Sequence, residues 1–334
     1  MNGYITKDES QAINNSSQAL QNTLAGTNLM YALSSGINPE YRWYVDRTNG
    51  SDSNDLNYGH SPQMAFKTIQ HAVDMTGNGR GDLIIVLPTP SAKYTENVVI
   101  YGHQSIKIIA PFGPWTTRIR PSDATTKYAF TPGGGVATQG ACFIVMSRDV
   151  EIAGFNFDGG GGYAGIYCGD GQIITDLGYT GQNTAGCYFH DNEFQSGNDA
   201  YYGLVLQGCS DNVRVVNNVF NWTTQAGVYM CCGGTKTNQR TIIDNNKFLG
   251  CMDYGVYLTN DVHYNTCVTR NTFFDRLPGT TVMTRSCLFQ GAYGNVFTGN
   301  YDATTNGALG SATDYMSGNT EFHAMNTPVY IAEA

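Results

Sequence analysis

The chain has 334 residues and a formal net charge of -9, and charged residues make up only 13% of it. Its length suits one large domain or two small ones, and an apolar content of 41% is enough for a sizeable core. No run of Lys or Arg occurs, which argues against nucleic-acid binding, and no stretch of about 18 apolar residues occurs, which excludes a membrane-spanning helix. With 40 glycines and 22 tyrosines, the composition favours a turn-rich, strand-rich fold.

Residues 1–42 form a segment of distinct composition in which Gln, Asn, Ser and Ala dominate. Apolar residues recur there at loosely helical spacing, at Ala12, Ile13, Ala19, Leu20, Leu24, Leu29 and Met30. Because this stretch has too little apolar surface to fold alone, we interpret it as a helical docking segment. The opening MNGYITKDES has neither the basic region nor the apolar core of a signal peptide, so we expect synthesis in a cytoplasm without standard export.

Residues 43–95 are predicted to form an entry segment that contains a cap. Strands are expected at 43–45, 82–87 and 96–100, a turn at 49–52, and a short amphipathic helix at 66–75. A helix followed by a buried strand often caps a solenoid. This part of the sequence resembles the entry segment of pectate-lyase-like right-handed β-helix proteins, and the motifs that carry the resemblance are YVDRTNGSDSND, SPQMAFKTIQHAV, GDLIIVLP and YTENVVI. The segment LPTPSAKYTENV replaces a shorter corner of that family, so we expect a slightly longer corner here.

An internal repeat extends the argument to the rest of the chain. An Asn-x-Phe triplet recurs with its phenylalanines 26, 28, 25 and 24 residues apart, at Phe194, Phe220, Phe248, Phe273 and Phe297. A glycine follows three of them, at Gly203, Gly227 and Gly255, and Phe157 with Gly165 starts the series. This period predicts an all-β, right-handed parallel β-helix of roughly nine coils over residues 96–320, followed by a C-terminal tail at 321–334.

Stacked coils place repeated residues in columns. The Phe column is expected to fill the interior, and the Asn column, Asn192, Asn218, Asn246, Asn271 and Asn295, is expected to form a hydrogen-bonded ladder at a bend. Such an asparagine ladder is also what the family resemblance implies.

Two columns could carry carboxylates for acid–base chemistry on sugars. One, five residues after each Phe, reads Asp199, Gln225 and Asp253, and would hold two carboxylates about 9.6 Å apart, at the upper edge of the range for inverting glycosidases. The other, three residues before each Phe, reads Asp191, Asn217, Asn245 and Arg270, with Asp244 beside it. His190 next to Asp191 could assist. Ordinary turn propensity explains all of these residues equally well.

Other features are interpreted without a special role. Asp46, Asn49, Asp52, Asn54 and Asp55 could offer oxygen ligands to calcium, but turn propensity explains them, so we expect no metal and no cofactor. The nine cysteines are unevenly spaced and are expected to be buried as small hydrophobic residues. Aromatic residues outside the inner columns could form platforms for sugar rings, at Tyr163, Tyr179, Tyr201, Trp222 and Tyr264.

Two classes of function remain open. The resemblance extends to phage tail spikes and head decorations, which implies a virion structural protein, assembled in the host cytoplasm, that projects its β-helix from the particle. In that case residues 1–42 contact other virion proteins, the chain is a homotrimer, and its surface binds host polysaccharide. The alternative is a polysaccharide-degrading enzyme on the same fold, a lyase or an inverting glycoside hydrolase. Fold alone does not decide between them.

Overall fold

The computed structural model describes most of the chain from residue 41 onward. The described residues are 41–53, 55, 57–89, 92–122, 130–132, 135, 138, 140–158, 162–169, 184–195, 200–208, 211–231, 238–259, 263–274, 285–289, 292–293, 295–303, 315–317, 320–323 and 327–330. The predicted docking segment 1–42 therefore lies almost entirely outside them.

Three sheets contain nearly all the described strands, and each strand is hydrogen-bonded to the next in its sheet. The first sheet comprises β1 (Arg42–Val45), β2 (Leu83–Val86), β5 (Lys107–Ile109), β8 (Glu151–Ala153), β11 (Tyr188–His190), β14 (Arg214–Val216), β17 (Ile242–Asp244), β21 (Cys267–Thr269), β25 (Val296–Thr298) and β27 (Tyr315–Ser317). The second comprises β3 (Tyr94–Thr95), β6 (Arg118–Arg120), β9 (Asn156–Asp158), β12 (Glu193–Gln195), β15 (Val219–Asn221), β18 (Lys247–Leu249), β22 (Thr272–Phe274), β26 (Tyr301–Ala303), β28 (Thr320–His323) and β29 (Thr327–Tyr330). The third comprises β4 (Val98–Ile100), β7 (Ala141–Val145), β10 (Ala164–Gly169), β13 (Tyr202–Gln207), β16 (Ala226–Cys231), β19 (Tyr254–Leu258) and β23 (Arg285–Phe289). A separate pair is formed by β20 (His263–Tyr264) and β24 (Ala292–Tyr293).

Each regular coil contributes one strand to each sheet in turn, as β11, β12 and β13 do. Strand pairs in the described part of the chain are parallel, apart from the antiparallel pair of β28 and β29. The chain is therefore a right-handed parallel β-helix, as the repeat and the resemblance predict. The entry segment is continuous with it, because β1 and β2 are the first strands of the sheet that continues into β5.

A phenylalanine stack fills the interior behind the second sheet. Rings of successive coils, from Phe157 through Phe194 and Phe220 to Phe248, lie 4.6 to 4.8 Å apart and within 9° of parallel. Glycine is needed opposite them in the third sheet, since a Cβ on Gly203 would lie 2.5 Å from Cδ1 of Phe220. The recurring Phe and Gly are thus two sides of one packing contact.

An asparagine ladder follows the bend between the first and second sheets. The Asn218 amide nitrogen donates to Oδ1 of Asn246 (3.1 Å) and to the carbonyl of Phe189 (2.9 Å), while Asn218 Oδ1 accepts from the backbone N–H of Asn192 (3.1 Å). Asn246 repeats the pattern onto Asn271. These buried amides satisfy backbone groups that the bend would otherwise leave unpaired.

The expectation that Asn295 and Phe297 continue the two columns is wrong. Phe297 lies in the first sheet, opposite Val268, and Asn295 accepts a hydrogen bond from the backbone of Thr266. Asn300 takes the next place in the ladder, where it bonds Asn271. The spacing of 24 residues is close to the length of one coil, but the coil that follows Phe273 is longer. The triplet that contains Phe297 therefore lies in the first sheet and not in the second.

A short helix, α1 (Ile69–Met75), packs against β1, β2 and β4 and buries Ile69, Ala72 and Val73. It begins later than the predicted 66–75, because Thr68 is an extended N-cap whose hydroxyl accepts from the N–H of His71. Glu96 accepts from the N–H groups of Ile69 (3.1 Å) and Gln70 (3.0 Å). A carboxylate from another coil thus fixes the helix start.

We predict that Asn218→Ala lowers the free energy of unfolding by on the order of 3 kcal/mol, because it leaves several buried hydrogen-bonding groups unpaired. Asn221→Ala is the matched control, since that side chain faces outward in the same coil, and its effect is expected within about 0.5 kcal/mol. Chemical denaturation of both variants measures the difference. Equal stabilities would contradict a structural role for the ladder.

We also predict that Glu96 makes stability depend on pH. Burial raises the pKa of Glu96 from 4.5 to about 7, with Asp52 adding to the rise and the helix N–H groups opposing it. Between these values the unfolded chain ionises while the folded chain keeps its proton, so stability falls as pH rises, by up to about 3 kcal/mol.

Unfolding of the wild type and of Glu96→Gln at pH 5 and pH 8 provides the measurement. The amide still accepts from the helix but does not ionise, so the variant is expected to lose clearly less stability. Asp74→Asn, an exposed change on the same helix, is expected to keep the wild-type dependence. A Glu96→Gln variant with the wild-type dependence would show that Glu96 does not titrate in this window.

Candidate functional site

The outward face of the first sheet carries a polar cluster, defined here as Lys107, Glu151, His190 and Asp191. His190 lies between two carboxylates, with Nδ1 2.6 Å from Oδ2 of Asp191 and Nε2 3.1 Å from Oε1 of Glu151. Lys107 Nζ lies 3.1 Å from the other oxygen of Glu151. The cluster joins strands β5, β8 and β11, which are adjacent in the sheet.

Backbone geometry and a ring contact hold the cluster in place. Asp191 adopts a left-handed backbone (φ 52°) at the bend, which brings its carboxylate back to the imidazole of His190. The Tyr188 ring stacks on His190 with centroids 4.0 Å apart, and the guanidinium of Arg214 lies 4.7 Å from the centre of the Tyr188 ring. His190 is thus half-enclosed by an aromatic face and two acids.

Mutual pairing controls the charges in this cluster. Burial lowers the pKa of His190, but hydrogen bonds and charges from Asp191 and Glu151 outweigh it, so the pKa is raised overall. Burial raises the pKa of Glu151, but the bonds from His190 and the charge of Lys107 outweigh it, so that pKa is lowered. Glu151 is therefore held ionised, which suits electrostatic binding better than proton donation.

Asp244 lies on the same face, two strands from His190. Burial raises its pKa, but the guanidinium of Arg270 and the hydroxyl of Thr269 outweigh burial and lower it overall. A glycosidase needs one carboxyl that keeps its proton. The predicted pair of Asp191 and Asp244 does share this face, but Asp244 is paired as an ionised group and does not suit that role.

In the predicted column of Asp199, Gln225 and Asp253, the alignment of Gln225 with Asp253 is confirmed, while Tyr201 takes the place that was expected for Asp199. Tyr202 pairs with Ala226 and Ala226 with Tyr254, so Tyr201 is the residue beside Gln225 and Asp253. The connection from Phe194 to β13 is two residues longer than the one from Phe220 to β16, and counting from the Phe therefore misplaces the column. Asp199 lies outside the described residues.

The predicted sugar-binding aromatic residues lie on different surfaces. Tyr163 is buried and Tyr201 half-buried, and they are neighbours in adjacent coils, since the N–H of Tyr201 donates to the carbonyl of Tyr163 (2.9 Å). Trp222 is exposed at the end of a second-sheet strand, and Tyr264 is exposed in β20. Tyr179 lies outside the described residues. Of the four that the structure describes, it brings Tyr163 and Tyr201 together.

A row of tyrosines on the outward face of the third sheet was not predicted. Tyr167, Tyr202 and Tyr229 are buried there, with Phe130 packed on Tyr167 at 4.7 Å and Gly135 close to the other two hydroxyls. Further along the row, Tyr254 and Tyr257 are half-buried and stack with centroids 4.4 Å apart. The signal in the sequence is a Gly-x-Tyr spacing at 165–167, 227–229 and 255–257, which puts the tyrosine outward when the residue before it faces inward.

The carboxylate oxygens of the acidic turn near residue 50 accept hydrogen bonds from backbone N–H groups. Asp46 Oδ1 accepts from Thr48 and Asn49, and Asp52 accepts from the N–H groups of Lys67 and Thr68. Asp55 accepts from Asn57 in the same way, while Asn54 lies outside the described residues. The contacts of Asp46 and Asp55 agree with turn formation, whereas Asp52 binds the backbone just before α1.

We predict that His190 contributes stability that is lost at high pH. Because its folded pKa is raised above 6.5, the contribution is present below about pH 6.5 and disappears as pH rises through the folded value. Unfolding of the wild type and of His190→Gln at pH 6 and pH 8.5 measures it, and the difference between them is expected to shrink at the higher pH. His60→Gln, an exposed histidine elsewhere, serves as control. A difference that stays constant would contradict the pairing.

Comparison with solved structures finds proteins of similar fold. Crystal structures of the GH136 lacto-N-biosidase from Eubacterium ramulus match at 11% identity, over 84% of this chain and 60% of that chain with a TM-score of 0.53 for the selenomethionine derivative, and over 94% and 64% with a TM-score of 0.52 for the native protein. ORF18 of Geobacillus virus E2 matches at 14% identity over 80% of this chain and 59% of that chain, with a TM-score of 0.47. At these identities the likeness shows the fold alone. The chain spans about three fifths of the length of these proteins.

No curated protein sequence matches the chain. In the part of the chain that the structure describes, no helix is long and apolar enough to cross a membrane.

A protein-family model described as periplasmic copper-binding protein (NosD) matches residues 138–331, more than half of the chain. The described residues do not fit a copper ion, because no group of three His, Cys, Asp or Glu side chains among them could hold a metal. Both ring nitrogens of His190 are held by carboxylates on opposite sides, and six of the seven described cysteines are buried, as expected of small hydrophobic residues. By this match, the chain belongs to the NosD family.

Proposed function

We propose that the chain is a β-helix structural protein of a phage particle that binds host carbohydrate through Tyr254 and Tyr257 of its third-sheet tyrosine row. The observation that carries the proposal is the stacked, half-buried pair of Tyr254 and Tyr257. A flat apolar ring with a polar tip matches a sugar, which has an apolar face and a rim of hydroxyls.

The neighbours of this pair favour a binding surface. Tyr229 meets the Tyr257 ring edge-on at 5.3 Å, which holds the platform from the adjacent coil. Gln225 and Asp253 lie next to each other at the start of the same two strands and are half-buried. They place polar residues next in sequence to Tyr254 and to its strand partner Ala226, and a sugar site needs polar groups near its apolar contacts.

Cleavage has less support than binding. Hydrolysis of a glycosidic bond needs a carboxyl group that keeps its proton beside a second carboxylate. On the first sheet, where the predicted acids Asp191 and Asp244 lie, Glu151 and Asp244 both have lowered pKa values because cations and hydroxyls pair with them.

The phage placement rests on sequence. The resemblance of the solenoid to those of tail spikes and head decorations supports it, together with the distinct composition of residues 1–42. In this proposal residues 1–42 contact other virion proteins, and three copies associate into a trimer. Mass spectrometry of purified particles and sedimentation of the purified chain test these two parts.

We predict that the double variant Tyr254→Ala with Tyr257→Ala weakens carbohydrate binding at least about tenfold, which corresponds to roughly 1.4 kcal/mol. The measurement is affinity for immobilised bacterial capsular and O-antigen glycans. Tyr301→Ala, an exposed tyrosine on the second sheet, is the matched control and is expected to stay within about twofold. Absence of binding to every glycan, or an unaffected double variant with native circular dichroism, would reject the proposal.

A further inference from the structure

A rigid turn between β5 and β6 projects two aromatic side chains from the coil. Gly113 has a left-handed backbone (φ 84°), its N–H donates to the carbonyl of Ala110 (3.2 Å), and its own carbonyl accepts from the N–H (3.2 Å) and hydroxyl (2.9 Å) of Thr116. Pro111 and Pro114 restrict the backbone further. The turn is therefore fixed by its own bonds.

The aromatic side chains on this turn are the most exposed large hydrophobic residues in the described part of the chain. Trp115 is 74% exposed and Phe112 is 49% exposed. An exposed Trp on a rigid turn loses little conformational entropy when a ligand covers it, so the apolar area contributes efficiently to binding.

Three cations lie on the outward face of the second sheet near this turn: Arg118 and Arg120 follow it in β6, and Lys93 precedes β3 in the coil before. The pairing of Tyr94 with Ile119 places Lys93 beside Arg118, and Arg120 follows two residues later on the same face. A hydrogen bond from the N–H of Thr89 to the carbonyl of Thr116 (3.0 Å) ties the segment that leads to Lys93 to the turn. Aromatic and cationic side chains are thus held at one corner.

The carboxylates at this corner are too few to cancel its positive charge. Lys93 and Arg118 both form ion pairs with Asp158, which is the single carboxylate between them. Glu193 is 6% exposed and its side chain forms no hydrogen bond to any described residue. Burial raises the pKa of Glu193, with Arg118 opposing the rise. Even when Asp158 and Glu193 are both ionised, Lys93, Arg118 and Arg120 leave one positive charge in excess. The local excess of positive charge contrasts with the net charge of -9 for the chain.

We propose that this corner, defined by Phe112, Trp115, Lys93, Arg118 and Arg120, binds a uronate unit of an acidic polysaccharide. The aromatic side chains contact the apolar face of the sugar ring, and the cations bind its carboxylate, for which the planar guanidinium of Arg is well matched. The inference rests on the proposed carbohydrate-binding function and adds a ligand class and a second contact surface.

A nucleic acid fits this corner less well. Nucleic-acid affinity depends on many neutralised phosphates, and three cations in a chain of net charge -9 provide few of them. An acidic polysaccharide carries its charge more sparsely along a chain of rings that aromatic side chains can cover.

Isothermal titration with polygalacturonate and alginate, and with carboxyl-reduced polygalacturonate, tests the site. The wild type is expected to bind a uronate polymer at least about tenfold more tightly than the reduced polymer. Trp115→Ala and Arg118→Gln are each expected to weaken uronate binding about tenfold. Arg240→Gln and Tyr301→Ala are the matched controls, because Arg240 is another exposed arginine paired with an aspartate, and both are expected to stay within about twofold.

The outcomes separate this site from the proposed function. Uronate binding that is unchanged in Trp115→Ala and Arg118→Gln, while neutral glycans still need Tyr254 and Tyr257, rejects the corner and leaves the tyrosine site standing. Neutral glycans that bind while neither uronate polymer does also reject the corner. A wild-type protein that binds neither neutral glycans nor uronate polymers rejects both proposals. Tighter binding of single-stranded oligothymidylate than of either uronate polymer identifies a nucleic-acid site and overturns the inference. Thermal melts of each variant check that it is folded.

Discussion

The parallel hydrogen bonding between successive coils is the constraint on which the rest of the structure depends. Stacking at about 4.8 Å places each side chain directly against its counterpart one coil away. Every inward position must therefore tolerate a close neighbour of the same kind. Planar phenylalanine rings satisfy this along the second sheet, and asparagine amides satisfy it at the bend, because each amide both donates and accepts.

The interior was predictable from the sequence because it repeats, and the candidate sites were not because they do not repeat. The stack from Phe194 to Phe273 follows from spacing alone, since each like residue lies on the next. Loop length limits the same reasoning. Two extra residues before β13 put Tyr201 beside Gln225 in place of the residue that counting predicts, and a long coil after Phe273 moves Phe297 into another sheet.

Contacts between unlike residues were beyond sequence reasoning. Glu151 and His190 lie 39 positions apart, so their pairing depends on a register that no repeat reveals. The tyrosine row is an intermediate case. Its Gly-x-Tyr spacing is visible, but the packing of Phe130 on Tyr167, which separates the buried rings from the half-buried pair, depends on a segment folded over the sheet.

Because the inward residues are uniform from coil to coil, the outward residues are free to vary. The columns fix the backbone whatever the outward residues are, so each sheet carries a different surface: paired charges on the first, cations beside an aromatic turn at one end of the second, and tyrosines on the third. One scaffold can therefore present several kinds of surface without loss of core packing.

The match between glycine and phenylalanine has a further consequence for how such chains change length. Gly203 meets Phe220, Gly227 meets Phe248 and Gly255 meets Phe273 in the same geometry, so the interface between neighbouring coils is nearly interchangeable. Duplication or deletion of one whole coil would rejoin identical surfaces and alter the rod by about 4.8 Å. Evolution can therefore adjust the reach of the rod in unit steps, whereas an insertion of a few residues is confined to the loops.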